Sequence, residues 1–270
     1  MTYLTRISGW GNYPPQEAQL LTPSSPTSLN VFVRQEKTLI ARGMGRSYGD
    51  SANASKVLQT LYCDHFIAFD ENTGMLTAEG GITLREILKV IVPKGWFLPV
   101  TPGTSYVTLG GAIASDVHGK NHHIAGTFGQ HISSLCLVLG TGEVVTVSPQ
   151  DKVDLFLATC GGMGLTGVII SATIQLLPIR SSFINQKTIK ADCIEAACEA
   201  FEDNSNVTYS VAWIDCLTKG KSLGRSVLML GEHAEEGGLE INLKEPVALP
   251  LHTPSALLNS VTMKAFNNAY

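Results

Sequence analysis

Nowhere in the 270 residues do lysines and arginines gather into a run, and acidic residues outnumber basic ones, 23 to 19, for a formal net charge of −4. A phosphate backbone demands a basic face, so nucleic acid is not an expected partner. No apolar stretch approaches the roughly 20 residues of a transmembrane span. The N-terminal MTYLTRISGWGNYPPQ has no apolar core of a secretory signal. The expected location is the cytoplasm, with membrane-surface or periplasmic association left open. Six cysteines, at 63, 136, 160, 193, 198 and 216, form no Cys-x-x-Cys pair. That removes zinc-knuckle and thioredoxin-like readings and leaves buried, reduced thiols as the expectation. Internal repeats and low-complexity tracts are also missing.

What remains is a globular composition, 44% hydrophobic and 16% charged, in a chain long enough for two domains. Residues 1–30 read as turn-rich, with prolines at 14, 15, 23 and 26. TLIARG reads as a short strand, and FIAFDENTGMLTAEG as a hairpin turned at Asn-Thr-Gly. TLREILKVIVPKG has helical spacing: Leu84, Ile87, Leu88 and Ile91 share a face, Thr83 and Glu86 have capping-box spacing, and Pro93 and Gly95 stop it. WFLPV reads as a short strand, ISSLCLVLGTGEVVTVSP as a second hairpin, VDLFLATCGG as a helix and GVIISATIQLLPI as a buried strand. Beyond Pro178 the glycine density falls. A strand, the helix ADCIEAACEAFED and the strands NVTYSVAWIDC and GRSVLMLGE predict a separate α+β unit, with a boundary near residue 180. The stretch from Glu240 to Tyr270 closes no evident element.

Two segments carry the chemistry. ARGMGRSYGDSA, residues 41–52, places Gly43, Gly45 and Gly49 beside Arg42 and Arg46. Glycine lets backbone N–H groups approach phosphate oxygens unobstructed. Arginine adds charge-assisted bonds and Ser47 a hydroxyl. The alternative is a plain glycine-rich connection with surface arginines, and composition alone does not separate the two. Residues 101–131 hold six of the 26 glycines (103, 110, 111, 119, 126 and 129) and four of the seven histidines (118, 122, 123 and 131). His118 and His122 are four apart, but Gly119 lies between them and no glutamate completes a zincin motif, so no metal is expected. His123 and His131 read as turn caps. Gly162-Met-Gly164-Leu-Thr-Gly167 imitates a dinucleotide fingerprint, but it follows a helix and precedes a strand, the reverse of the required order. Gly119-Lys120 lacks the spacing and the hydroxyl residue of a P-loop.

Together, RGMGRSYGDSA, PGTSYVTLGGAIASDVHGKNHHIAGTFGQH and LFLATCGGMGLTGVI resemble the PCMH-type FAD-binding domain of the vanillyl-alcohol-oxidase flavoproteins and, within that family, the decaprenylphosphoryl-β-D-ribose oxidases. The resemblance covers most of residues 1–180 and continues more weakly through YSVAWIDCLTKGKSLGRSVLMLGE. It implies an α+β fold. A two-subdomain FAD-binding domain would occupy residues 1–180, and residues 181–270 would form part of an α+β substrate (cap) domain that continues further in relatives of that family. It also implies that Ala41, Arg42, Gly43, Met44, Gly45, Arg46, Ser47, Tyr48, Gly49, Asp50 and Ser51 wrap the FAD pyrophosphate. Gly103, Thr108, Leu109, Gly110, Gly111, Ser115, Asp116, Val117 and His118 would line the rest, and Ile169 would touch FAD through its backbone.

Covalent relatives often carry a histidine where this chain has Asp50, so the resemblance points to non-covalent FAD. The implied reaction is oxidation of a secondary alcohol of a sugar, with polyprenylphosphoryl ribose as substrate and a separate nicotinamide-dependent reductase as working partner. His118 becomes the candidate proton acceptor or substrate orienter. Tyr48 and Lys120 become candidate ligands of the sugar or its phosphate, against the plainer readings of Tyr48 packing on flavin and Lys120 as a solvated charge. The alternatives are an aldonolactone- or alditol-type oxidase, a flavin-binding module without turnover, and a histidine-metal hydrolase.

Overall fold

The computed structural model of the chain describes residues 2–242 and 259–269. It divides into two compact units, Met1–Ile179 and Arg180–Tyr270, each an association of helices and strands.

The first unit begins with a pair that turn chemistry hides. β1 (Thr2–Ile7) and β2 (Gln16–Leu21) run antiparallel, with Thr2 opposite Leu21. Residues 1–30 are therefore not merely turns. β1 lies at the sheet edge and is almost wholly exposed, so it shows no apolar alternation to read. α1 (Pro26–Gln35) was also concealed among prolines. Pro26 takes the first helical position, where its missing N–H costs nothing. Ser25 and Ser28 cap each other: Ser28 N donates to Ser25 Oγ at 3.2 Å and Ser25 N to Ser28 Oγ at 3.0 Å. Serine stands where the usual capping box has Glu or Gln. β3 (Ile40–Arg42) and β4 (Lys56–Gln59) add parallel neighbours, giving a four-stranded order β1-β2-β4-β3.

A second, antiparallel sheet follows. The expected hairpin forms as β5 (Phe66–Asp70) and β6 (Met75–Glu79). α2 (Leu84–Ile91) buries Leu84, Ile87, Leu88 and Ile91, each worth roughly 1.5–3 kcal/mol. Thr83 Oγ1 accepts from Glu86 N at 3.2 Å, but the Glu86 carboxylate turns to Lys89 Nζ at 2.6 Å, so only half of the capping box forms. Pro93 lies in a single 3-10 turn, and Gly95 ends it at φ 82°. WFLPV shrinks to β7 (Trp96–Phe97); Leu98 and Val100 are buried beyond it without strand pairing. Two short helices, α3 (Leu109–Ala114) and α4 (His122–Ala125), punctuate the glycine-histidine region. The second hairpin is β8 (Ile132–Val138) and β9 (Val144–Val147). Next come α5 (Val153–Thr159), the buried β10 (Val168–Gln175) and β11 (Leu177–Pro178), which pairs with β7. The sheet order is β5-β6-β10-β8-β9. Leu29 and Val33 of α1, Leu21 and Leu58 of the first sheet and Val138, Val168 and Ile170 of the second form one buried cluster. The core of this unit therefore lies where helix α1 and the two sheets converge.

The second unit is a three-stranded antiparallel sheet, β12 (Ile184–Ala191), β14 (Ser226–His233) and β13 (Tyr209–Ile214) in that order, with α6 (Ile194–Asp203). The stretch after Glu240 does contain an element, α7 (Ser260–Ala269); residues 243–258 lie outside the described residues. Buried Asp215 gathers this end of the unit. Its Oδ2 accepts from Arg225 Nε at 2.9 Å and its Oδ1 from Asn267 Nδ2 of α7 at 2.6 Å. The cysteine expectation needs correction: all six thiols are free, but Cys198 and Cys216 are exposed and only Cys63 is fully buried. Among the described residues no helix is long and apolar enough to cross a membrane.

At the end of β6, buried Glu79 holds His65: its Oε2 lies 2.9 Å from Nδ1 and accepts the His65 backbone N–H at 3.0 Å. The hydrogen bond to Glu79, reinforced by its charge, raises the His65 imidazole above its ordinary value. A raised folded-state value adds stability that is complete below the unfolded value of about 6.5 and fades as pH climbs through the folded one. His65→Gln should therefore lower the melting temperature at about pH 5.5 and converge on wild type by about pH 8.5. Melting curves with a pH-independent gap would contradict this.

Candidate functional site

The two glycine-rich segments meet. β3 delivers the chain to Gly43, whose backbone lies so close to Thr108 that a Cβ there would overlap the threonine side chain. Thr108 is itself fixed, because it caps α3 by accepting Gly111 N at Oγ1, 3.1 Å away. Behind α3, Gly110 N donates to Gly80 O at 2.8 Å and Leu109 N to Ile82 O at 2.8 Å, tying the helix start to the end of β6. Between the segments opens a cavity of 760 Å³, within the size range of cofactor sites.

Its walls can be set against the expected residues. Ala41 to Gly49 and Ser51 all line it; Asp50 does not, its carbonyl instead accepting Asn53 N at 2.8 Å in the turn beyond. Gly103, Thr108, Gly110, Gly111, Ser115, Asp116, Val117 and His118 line it, as does Ile169 of β10. Leu109 is fully buried beneath the helix instead. Lys120 is exposed and outside the lining, and Tyr48, 89% exposed, stands at the rim rather than packed within.

Other wall residues escaped the sequence reading. Thr60 and Gly80 come from strand ends, which carry no motif. Met163, Gly164 and Gly167 belong to the turn whose fingerprint spacing was set aside. That turn does follow a helix and precede a strand, yet it docks on α3 through Met163 N to Ala114 O at 2.8 Å and Gly161 N to Ile113 O at 3.0 Å. Trp10, between two glycines in SGWGN, also lines the cavity.

The charged groups divide by what they touch. Arg42 is spent on the protein: Nη1 donates to Ala52 O at 3.1 Å and Asn53 Oδ1 at 2.7 Å, and Nη2 to Ser8 O at 2.7 Å. Burial lowers its pKa, although a guanidinium stays protonated throughout. Arg46 instead lies over the Trp10 ring, 4.8 Å from its centroid. Asp116, at φ 40°, accepts Gly129 N at 2.8 Å and so braces the loop that carries the histidines. Nearby, burial and then the charge of Asp116 push the Cys160 thiol up to about 11, which keeps it protonated and unreactive.

Of the four clustered histidines only His118 lines the cavity. It is exposed; its backbone bridges to Thr127, and its ring sits 5.3 Å from that of His122. His122 Nδ1 donates to Gly126 O at 3.1 Å, and His131 Nε2 to Ala125 O at 2.9 Å, so these two cap the end of α4. No group of three or more His, Cys, Asp or Glu side chains is placed to hold a metal among the described residues.

The sequence is similar to those of known proteins. A family described as FAD binding domain matches residues 23–148. Decaprenylphosphoryl-β-D-ribose oxidase of Mycolicibacterium smegmatis is 36% identical over 97% of this chain and 61% of its own length. A putative D-arabinono-1,4-lactone oxidase of Neurospora crassa is 30% identical over 58% of this chain and 29% of its own. Human Δ(24)-sterol reductase is 28% identical over 50% of the chain and 26% of its own. The chain thus spans at most 61% of the length of these relatives.

The contact between the segments is directly testable. Gly43→Ala should cost on the order of 1–3 kcal/mol by overpacking against Thr108. Thr108→Ala should cost about 1 kcal/mol through the lost cap. In the double variant the Gly43→Ala penalty should shrink, because its collision partner is gone. Urea denaturation of the four proteins measures this, and strictly additive costs would show that the segments do not touch.

Proposed function

We propose, for a chain that belongs to the FAD-linked oxidoreductases of the vanillyl-alcohol-oxidase family, that the cavity holds FAD and serves the oxidation of a secondary alcohol on a sugar. The observation that carries this is the convergence of residues 41–49 and 51 with Gly103, Thr108, Gly110, Gly111 and Ser115 to His118 on one cavity of 760 Å³. Backbone stripped of side chains at Gly43, Gly45, Gly110 and Gly111 suits a diphosphate and a planar ring system, and Ser47, Ser51 and Arg46 add donors on the same wall. Residues and group therefore fit. Asp50 offers a carboxylate in a turn outside the lining, which favours non-covalent retention.

FAD, when bound, would supply the two-electron oxidation by taking up the hydride of the alcohol carbon. The chain's own contribution is to the proton. Alcohol oxidation also releases the hydroxyl proton, and His118, the only imidazole lining the cavity among the described residues, takes it on a ring nitrogen. Tyr48 at the rim and exposed Lys120, two residues from His118, bind the sugar or its phosphate. A polyprenylphosphoryl ribose is the favoured substrate, because the relative matched over 97% of this chain is named for that reaction. A separate nicotinamide-dependent reductase is the proposed partner. An aldonolactone oxidase is the second reading, favoured by the arabinono-lactone oxidases among the relatives.

Purified protein should be yellow, and acid precipitation should leave the colour in the supernatant; colour retained in the pellet would mean a covalent flavin. Bleaching by polyprenylphosphoryl ribose, and not by an aldonolactone, supports the first substrate. Bleaching by neither would leave a binding module without turnover. His118→Ala should keep the colour and slow bleaching roughly 10²–10⁴-fold. An unchanged rate would remove His118 from the chemistry.

A further inference from the structure

We propose that the segment 8–12 fixes Trp10 in the wall of the cofactor cavity, where Trp10 holds Arg46 so that its charge meets the diphosphate of the bound nucleotide. This rests on the FAD reading above.

Three contacts fix the wall. Trp10 N donates to Ser47 O at 2.8 Å, and Arg42 Nη2 reaches Ser8 O at 2.7 Å. Gly9 lies so near the carbonyls of Ser47 and Gly49 that any Cβ would press on them. SGWGN therefore runs against the glycine-rich loop with backbone on backbone, and it carries one large side chain. Trp10 and Arg46 line the cofactor cavity and also a smaller one of 580 Å³, so the pair stands in the wall common to both.

Arg46 differs from Arg42 in what it has left to bind. Arg42 is tied to three oxygens. Among the described residues the Arg46 guanidinium makes no hydrogen bond or ion pair; it is held only by its position over Trp10. Stacking engages the face of a guanidinium and leaves its in-plane N–H donors outward. A long side chain so held loses less freedom when an anion arrives. The donor fork matches phosphate oxygens. Trp10 is thus a positioning residue that acts through Arg46.

FAD, ADP and riboflavin titrated into the 270-residue chain freed of flavin test this. Arg46→Gln should weaken FAD and ADP roughly tenfold and flatten the salt dependence of both, leaving riboflavin unchanged. Trp10→Ala should follow it in direction and in ligand pattern, whereas Trp10→Phe, which keeps an aromatic face, should retain most of the affinity. The double variant Trp10→Ala/Arg46→Gln should be no weaker than Arg46→Gln alone. FAD affinity unchanged in Trp10→Ala overturns the inference alone. Additive losses do so too, as does an equal loss of riboflavin, which would make Trp10 a platform for a ring. A wild-type chain that takes up no FAD overturns the cofactor reading and this inference together.

Discussion

The site depends on one close approach, that of the Gly43 backbone to Thr108. The threonine hydroxyl starts α3 by capping Gly111, so helix and loop are placed by the same side chain. From that contact the rest follows in sequence. α3 hangs from the end of β6 through Gly110 and Leu109. β6 is held in turn by β10, with Gly80 N donating to Ile170 O at 2.7 Å. Ile170 belongs to the cluster that joins the two sheets to α1. A side chain at residue 43 would thus act on the whole wall rather than on a local turn.

Where the sequence was legible, the physical signal was strong and local. α2 has four apolar positions on one face and a threonine cap, and both hairpins have glycine turns. The two small-residue segments are unusual enough to point at one ligand, and they do converge. Illegible elements lacked such signals. β1 is exposed on both faces, β4 has only four residues, and α1 hides behind prolines with a serine pair as its cap. Site membership failed where spacing could not report direction: Leu109 lies among lining residues yet points into the core, and Lys120 lies two residues beyond His118 but off the wall. Trp10 is far from the loop in sequence and reaches it only through β1 and β2.

The chain also separates structural charge from available charge. Arg42 and Asp116 both line the cavity, but their bonds run inward, to the loop they stabilise and to Gly129. Arg46 and His118 face the same space with their polar groups less committed. An arginine count made on the sequence alone would weigh Arg42 and Arg46 equally; hydrogen-bond partners distinguish them. Cys160 illustrates the same division, since burial holds its thiol protonated while its side chain fills volume beside Gly129.

Arg42 acts as a strut beneath the glycine-rich loop. Its half-buried guanidinium crosses the base of the loop from Ser8 to Ala52 and Asn53, using only groups of the chain itself. The curve of residues 43–51 is therefore braced from within, by donors and acceptors that the chain itself supplies.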